Sequence, residues 1–179
     1  TALRMQKENP KVFIPEQFSN PNNPMVHKYY TALEILEQVA GPIDGFCSGI
    51  GTGGTLSGIG ETLKALNPHI EIWAVEPENA AILSGGAIGT HLQMGIGDGL
   101  IPDNLNQDIY DDLYLVTDEE AIQTAKDLAR LEGLMCGISS GTNVAAALKL
   151  AKKLGPGKTV VTILPDTAER YFSTPLFQE

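Results

Sequence analysis

The 179 residues, 42% of them apolar and 19% charged, suffice to bury a core without disulfide or metal staples. Twelve basic against 22 acidic residues give a formal charge of −10 with no Lys/Arg cluster, which argues against nucleic acid or an anionic membrane surface as partner. No apolar run approaches the roughly 20 residues of a membrane span, and Cys47 and Cys136, both in apolar stretches that read as strands, fit buried thiols in a reducing compartment. A soluble, cytoplasmic protein is therefore expected.

The chain opens at Thr1, and its first thirty residues read like the middle of a longer protein. From residue 24 onward helices and strands alternate at the pace of βαβ units, predicting an α/β fold with a parallel sheet. Pro24 to Ala40 opens on proline and carries Ala32, Ile35, Leu36 and Val39 at helical spacing. Ile43 to Ser48 is a short apolar run between Gly41-Pro42 and further glycines, hence a buried strand. A helix follows, with Leu56, Ile59, Leu63 and Leu66 on one face and Asn67-Pro68 as its stop.

Ile70 to Val75 is the next buried strand. Glu78 to Asp112 is glycine-rich and aperiodic, and loops of that length in compact domains are usually functional. Leu113 to Val116 reads as a strand, and Thr117 to Glu120 as a capping box for a helix running to about Leu131. Leu134 to Ile138 is apolar, Ser140 stands as an N-cap, and Ala145 to Leu154 is helix. Thr159 to Leu164 is the last strand, broken by Pro165.

The most informative segment is Ile43 to Leu66, where a strand runs through Gly49, Gly51, Gly53 and Gly54, with Thr52 and Thr55 among them, into a helix. Backbone N–H groups, two hydroxyls and a helix N-terminus converge there, an arrangement suited to a phosphate. A tight turn would need only one or two glycines. Gly49, Gly51 and Gly54 with Glu76 also satisfy the dinucleotide fingerprint, so a nicotinamide-dependent oxidoreductase stays open. The threonines suit a terminal phosphate monoester better, and no Gly-Lys-Ser/Thr completes a P-loop.

Two further candidates are Cys136 to Asn143, where N-capping by Ser140 is the plain alternative, and Leu164 to Tyr171, where Asp166 and Thr167 follow the last strand on the same sheet edge as the glycine loop. His27, His69 and His91 lack ligand spacing, so no metal site is expected.

The ordered motifs GIGTGGTLSGIG, AVEP, SGGAIGTH, GIGDGLIP, EGLMCGISSG and LPDTAERYFST, with QFSNPNNPMVH before them, resemble the C-terminal part of the cysteine synthase (O-acetylserine sulfhydrylase) family of fold-type II pyridoxal-phosphate enzymes. The resemblance covers essentially the whole chain. It implies a three-layer, open, mostly parallel sheet with helices on both faces, the larger domain of a tryptophan synthase β-subunit-like fold, spanning residues 1–179. It implies that Gly51, Thr52, Gly53, Gly54 and Thr55 bind the phosphate of pyridoxal 5'-phosphate, that Thr167 meets the pyridine nitrogen, and that Gly95 lies in a loop near the substrate amine. A neutral hydroxyl at the nitrogen favours elimination chemistry.

The implied reaction is β-replacement: acetate leaves O-acetylserine and sulfide adds to give L-cysteine. A homodimer and a serine acetyltransferase C-terminal peptide are the implied macromolecular partners. Tyr30, Ala168 and Asp98 depart from the family's usual threonine, glycine and small residue, which keeps a cystathionine β-synthase-like member open. The Schiff-base lysine and the substrate-carboxylate loop belong to the family's N-terminal part, and neither motif occurs in this sequence. No catalytic residue is therefore expected in the chain, and a truncated, non-catalytic binding domain is a further alternative.

Overall fold

Alternation along two central strands builds two cores. In β1 (Gly45–Gly49) Phe46 points to one face and Cys47 to the other; in β2 (Glu71–Pro77) Ile72 and Ala74 share the face of Phe46, and Trp73 and Val75 that of Cys47. Both faces are covered, so these strands read as continuous apolar runs rather than alternating ones. The computed structural model describes residues 1–178. Its sheet has four parallel strands in the order β3-β2-β1-β4, with β3 at Asp112–Val116 and β4 at Val160–Thr162. Helices lie on both faces, as the sequence predicts.

On one face α4 (Gly54–Leu66) places Leu56, Ile59 and Leu63 against Phe46, Ile72 and Ala74. On the other, α5 (Asp118–Asp127) and α6 (Ile138–Leu154) place Ala121, Ala125, Ala146 and Leu150 against Cys47, Trp73 and Val75. Small residues let these layers close. A Cβ on Gly45 would stand 2.9 Å from Leu154 Cδ1, and one on Gly141 would stand 2.0 Å from the carbonyl oxygen of Ala121, so α6 lies directly on both β1 and α5.

Several elements depart from expectation. A short helix, α1 (Ala2–Glu8), precedes the first expected one and buries no residue. The helix expected over 24–40 runs as α2 (Asn22–Val26), a π-helical turn at His27–Thr31, and α3 (Ala32–Gln38). A second π turn, Leu128–Glu132, extends α5 to the expected end of its helix. Such wide turns leave no mark in apolar periodicity, which is why the sequence reads them as ordinary helix.

Thr117 caps α5 as expected, its hydroxyl accepting from the Glu120 amide at 3.1 Å. Ser140 does not cap α6. That helix starts earlier, with Gly137 as N-cap, and Ser139, Ser140 and Thr142 are buried inside its first turns. Cys136 is buried as expected but lies in no strand; a single antiparallel bridge to Thr167 is its pairing.

Candidate functional site

Strand order decides where a ligand can sit. The chain moves from β1 outward to β2 and β3, then returns across α5 and α6 to place β4 on the other side of β1. The connections after β1 and β4 therefore diverge at their carboxyl ends, and ligands of open α/β sheets bind at that point. A cavity of about 340 Å³ lies there, lined by residues that include Gly51, Thr52, Gly53 and Thr55 after β1, Ile163 to Pro165 after β4, His27 and Thr31 of the first π turn, and Gly95.

The glycine loop has its shape because nothing larger fits. Gly53 is left-handed at φ +78° and N-caps α4, and a Cβ on it would stand 2.7 Å from Leu105 Cβ. A Cβ on Gly51 would stand 2.3 Å from the carbonyl oxygen of Gly95, and one on Gly54 2.0 Å from Asn23 Oδ1. The amides of Gly51, Thr52, Gly53 and Thr55 meet no acceptor among the described residues, and the first turn of α4 holds no acidic side chain. Free N–H groups at the positive end of a helix attract an anion.

Side chains brace this loop from two elements, α2 and the π turn that follows it. Asn23 Nδ2 donates to Thr52 Oγ1 at 2.8 Å and to the carbonyl of Gln17 at 2.8 Å, tying the start of α2 to the loop. Thr55 Oγ1 lies 3.3 Å from His27 Nε2, and His27 Nδ1 lies 3.0 Å from Thr31 Oγ1. Burial lowers the His27 pKa from its ordinary value, which keeps the ring neutral.

Asn143 is the residue the sequence reading passes over. Buried in α6, it accepts from the Gly49 amide at 2.7 Å through Oδ1 and donates to the Ile163 carbonyl at 2.7 Å through Nδ2. One side chain thus holds the ends of β1 and β4 at the spacing that opens the cavity. Its signal in the sequence is its place as the last residue of the CGISSGTN segment, where N-capping by the hydroxyls before it accounts for the pattern without it.

The loop carrying Gly95 is held from behind by Gln93. This fully buried amide donates to the Val116 carbonyl at 2.9 Å and to Asp118 Oδ1 at 3.0 Å, and accepts from Thr142 Oγ1 at 2.8 Å. Gly97 N in turn donates to the Ile50 carbonyl at 2.9 Å, so the loop presses Gly95 against Gly51.

Of the sequence candidates, Gly51, Thr52, Gly53, Thr55 and Gly95 line one cavity, and Gly54 stands behind it at the start of α4. Thr167 is exposed on the same sheet edge, two residues beyond Pro165, and does not line the cavity. Its neighbour Asp166 accepts from Tyr171 Oη at 2.6 Å, and burial together with that carboxylate raises the Tyr171 pKa.

Glu76, the acidic residue of the dinucleotide reading, is buried and turned into its own loop. Its oxygens accept from the amides of Leu83 and Ser84 and from the Ser84 hydroxyl at 2.9 to 3.2 Å, so it holds the 78–111 segment in place rather than reaching for a ribose. Burial pushes the Cys47 thiol up to about 12, and it stays protonated. Among the described residues no cluster of three metal-ligating side chains occurs, and no helix is long and apolar enough to cross a membrane.

A family model of pyridoxal-phosphate dependent enzymes matches residues 1–166. The chain belongs to that family. It is 51% identical over 172 residues to a cysteine synthase of Staphylococcus aureus, covering 96% of this chain and 56% of that protein. Among solved structures it is similar to a cysteine synthase of Entamoeba histolytica, with a TM-score of 0.92, 41% identity, and coverage of 99% of this chain and 53% of the other. An O-acetylserine-dependent cystathionine β-synthase of Helicobacter pylori gives a TM-score of 0.93, 38% identity, and coverage of 98% and 57%.

The chain thus spans about half the length of the relatives it matches. Family membership overturns the nicotinamide reading of Gly49, Gly51, Gly54 and Glu76. The residues present fit the cofactor of pyridoxal-phosphate enzymes: open amides, two hydroxyls and three glycines that admit no Cβ form a cradle for a phosphate monoester.

Proposed function

We propose that this chain forms the cofactor-binding half of a cysteine synthase, in which acetate leaves O-acetylserine and sulfide adds to give L-cysteine. The observation that carries the reading is the ring of unpaired amides and threonine hydroxyls at the start of α4, set where β1 and β4 diverge. There Gly51, Thr52, Gly53, Gly54 and Thr55 hold the cofactor phosphate, while Thr167, outside the cavity lining on the same sheet edge, meets the pyridine nitrogen of the bound cofactor, and Gly95 presents its backbone towards the substrate amine. Bound there, pyridoxal phosphate supplies an electron sink for carbanion chemistry on an amino acid.

An acidic protein of net charge −10 holds this anion with local dipoles, since its long-range field opposes it. None of the residues lining the cavity is a lysine. The reading therefore gives residues 1–179 the cofactor cradle and assigns the covalent attachment to the half of the relatives that this chain does not span. A homodimer in the cytoplasm, with small-molecule substrates and a serine acetyltransferase C-terminal peptide as visitor to the site, completes the proposal. The similarity to the cystathionine β-synthase of Helicobacter pylori supports a second reading, in which a larger thiol replaces sulfide.

The test is equilibrium dialysis of the protein against pyridoxal 5'-phosphate, inorganic phosphate and NAD, followed by borohydride reduction and intact mass. Saturable binding of both phosphates without a covalent adduct is expected. Tight NAD binding with no affinity for either phosphate sinks the reading, and an adduct on any lysine of the chain sinks the division of labour between the two halves.

A further inference from the structure

The two threonine hydroxyls of the glycine loop are oriented by different means. An amide nitrogen can only donate, so Asn23 Nδ2 at 2.8 Å occupies a lone pair of Thr52 Oγ1 and leaves that hydroxyl's proton for an outside acceptor. Thr55 faces an imidazole instead, and a neutral imidazole donates from one nitrogen and accepts at the other. The row Thr31 Oγ1, His27 Nδ1, His27 Nε2, Thr55 Oγ1, with spacings of 3.0 and 3.3 Å at its two hydrogen bonds, can thus run in either direction.

In one direction Thr55 O–H donates to Nε2, and Nδ1–H donates to Thr31. The Thr55 proton then points away from the cavity. In the other, Thr31 O–H donates to Nδ1, Nε2–H donates to Thr55 Oγ1, and the Thr55 proton is released towards the cavity. A fully ionised phosphate monoester accepts only, so the second direction alone serves it.

We propose that His27 is a positioning residue: when a phosphate monoester occupies the glycine loop, His27 takes the Nε2–H tautomer and turns the Thr55 hydroxyl onto the phosphate. The change is balanced, since one proton leaves Nδ1 to water and one is taken up at Nε2, with no net charge moved. It explains why the π turn sits where it does. His27 and Thr31 are its first and last residues, both line the cavity, and the ring spans them. Half-burial of the ring lowers its pKa, so the neutral form that has tautomers is the one present.

The inference rests on reading Gly51 to Thr55 as a phosphate site, and the experiment separates the two. Imidazole 15N spectra of the protein are recorded without ligand, with inorganic phosphate and with pyridoxal 5'-phosphate, the His27 resonances being assigned by their loss in His27→Gln. The expected bound spectrum shows the unprotonated nitrogen at Nδ1. Dialysis with inorganic phosphate is expected to show binding weakened about tenfold by His27→Phe and by no more than about threefold by His27→Gln, whose amide N–H replaces the lost donor.

A bound Nδ1–H tautomer, or unchanged affinity in His27→Phe, overturns the role of His27 while the phosphate site stands. If the unmodified protein binds neither phosphate, the site reading falls and this inference with it. Should His27→Phe fail to fold, the tautomer in the unmodified protein decides alone.

Discussion

Helices α4 and α6 both follow a turn rich in glycine and hydroxyl residues, both point their N-termini to the same sheet edge, and they differ in what the neighbouring side chains place there. At α4 the amides of Gly51, Thr52, Gly53 and Thr55 have no partner among the described residues, and no acidic side chain lies in the first turn. At α6 the hydroxyls of Ser139, Ser140 and Thr142 are buried, and Asp166 packs its carboxylate on Gly137, where a Cβ would stand 2.1 Å from Oδ1. A carboxylate of the protein itself lies beside one helix end, its Oδ1 buried without a hydrogen-bond partner among the described residues, while no acidic side chain lies in the first turn of the other. Composition does not separate a site from a scaffold; what the neighbours already bind does.

The comparison breaks most severely at the scaffold helix. Gly141→Ala drives a methyl into the Ala121 carbonyl, 2.0 Å from the ideal Cβ position and backbone on the receiving side, so α5 and α6 must part. A loss of about 3 kcal/mol is expected in denaturant unfolding. Asn143→Ala follows, at about 2 to 3 kcal/mol, because the Gly49 amide and the Ile163 carbonyl lose their partner together. Unlike Gly141→Ala it also moves the cavity, so phosphate affinity should fall in the fraction that stays folded. An Asn143→Ala protein with unchanged stability would show that β1 and β4 do not depend on this clamp.

These two residues also mark how far the sequence could be read. Strands, helices and the parallel sheet follow from apolar runs and their punctuation, because burial on both faces writes itself into consecutive residues such as Ile72 to Val75. The glycine loop was legible for the same kind of reason: Gly51, Gly53 and Gly54 are each required by a contact or a positive φ. Asn143 and Gln93 were not, since their work is to join segments that meet only in the fold: Asn143 bridges 94 residues to Gly49, and Gln93 bridges 49 to Thr142. The π turn at His27 was hidden by a helical pattern that tolerates one extra residue.

The open helix end answers to smaller changes. Thr52→Val keeps the shape of the side chain and removes its hydroxyl, leaving Asn23 Nδ2 with the Gln17 carbonyl. Phosphate affinity is expected to fall about tenfold in dialysis, as for one hydrogen bond to a charged group, while stability moves by less than about 1 kcal/mol. The same substitution at the closed end, Thr142→Val, should reverse the pattern: it strips Gln93 Oε1 of its donor inside the core and costs about 1 to 2 kcal/mol of stability.

The smallest effect has the opposite sign. Ser140 Oγ is fully buried and has no hydrogen-bond partner among the described residues. A hydroxyl in that position carries its desolvation cost without compensation, whereas the methyl left by Ser140→Ala fits the same space without that cost. Removing it is expected to stabilise the protein by about 0.5 to 1 kcal/mol in denaturant unfolding and to leave phosphate binding unchanged. A destabilised Ser140→Ala protein would mean that the hydroxyl is engaged after all, and that the start of α6 is less closed than the contrast with α4 requires.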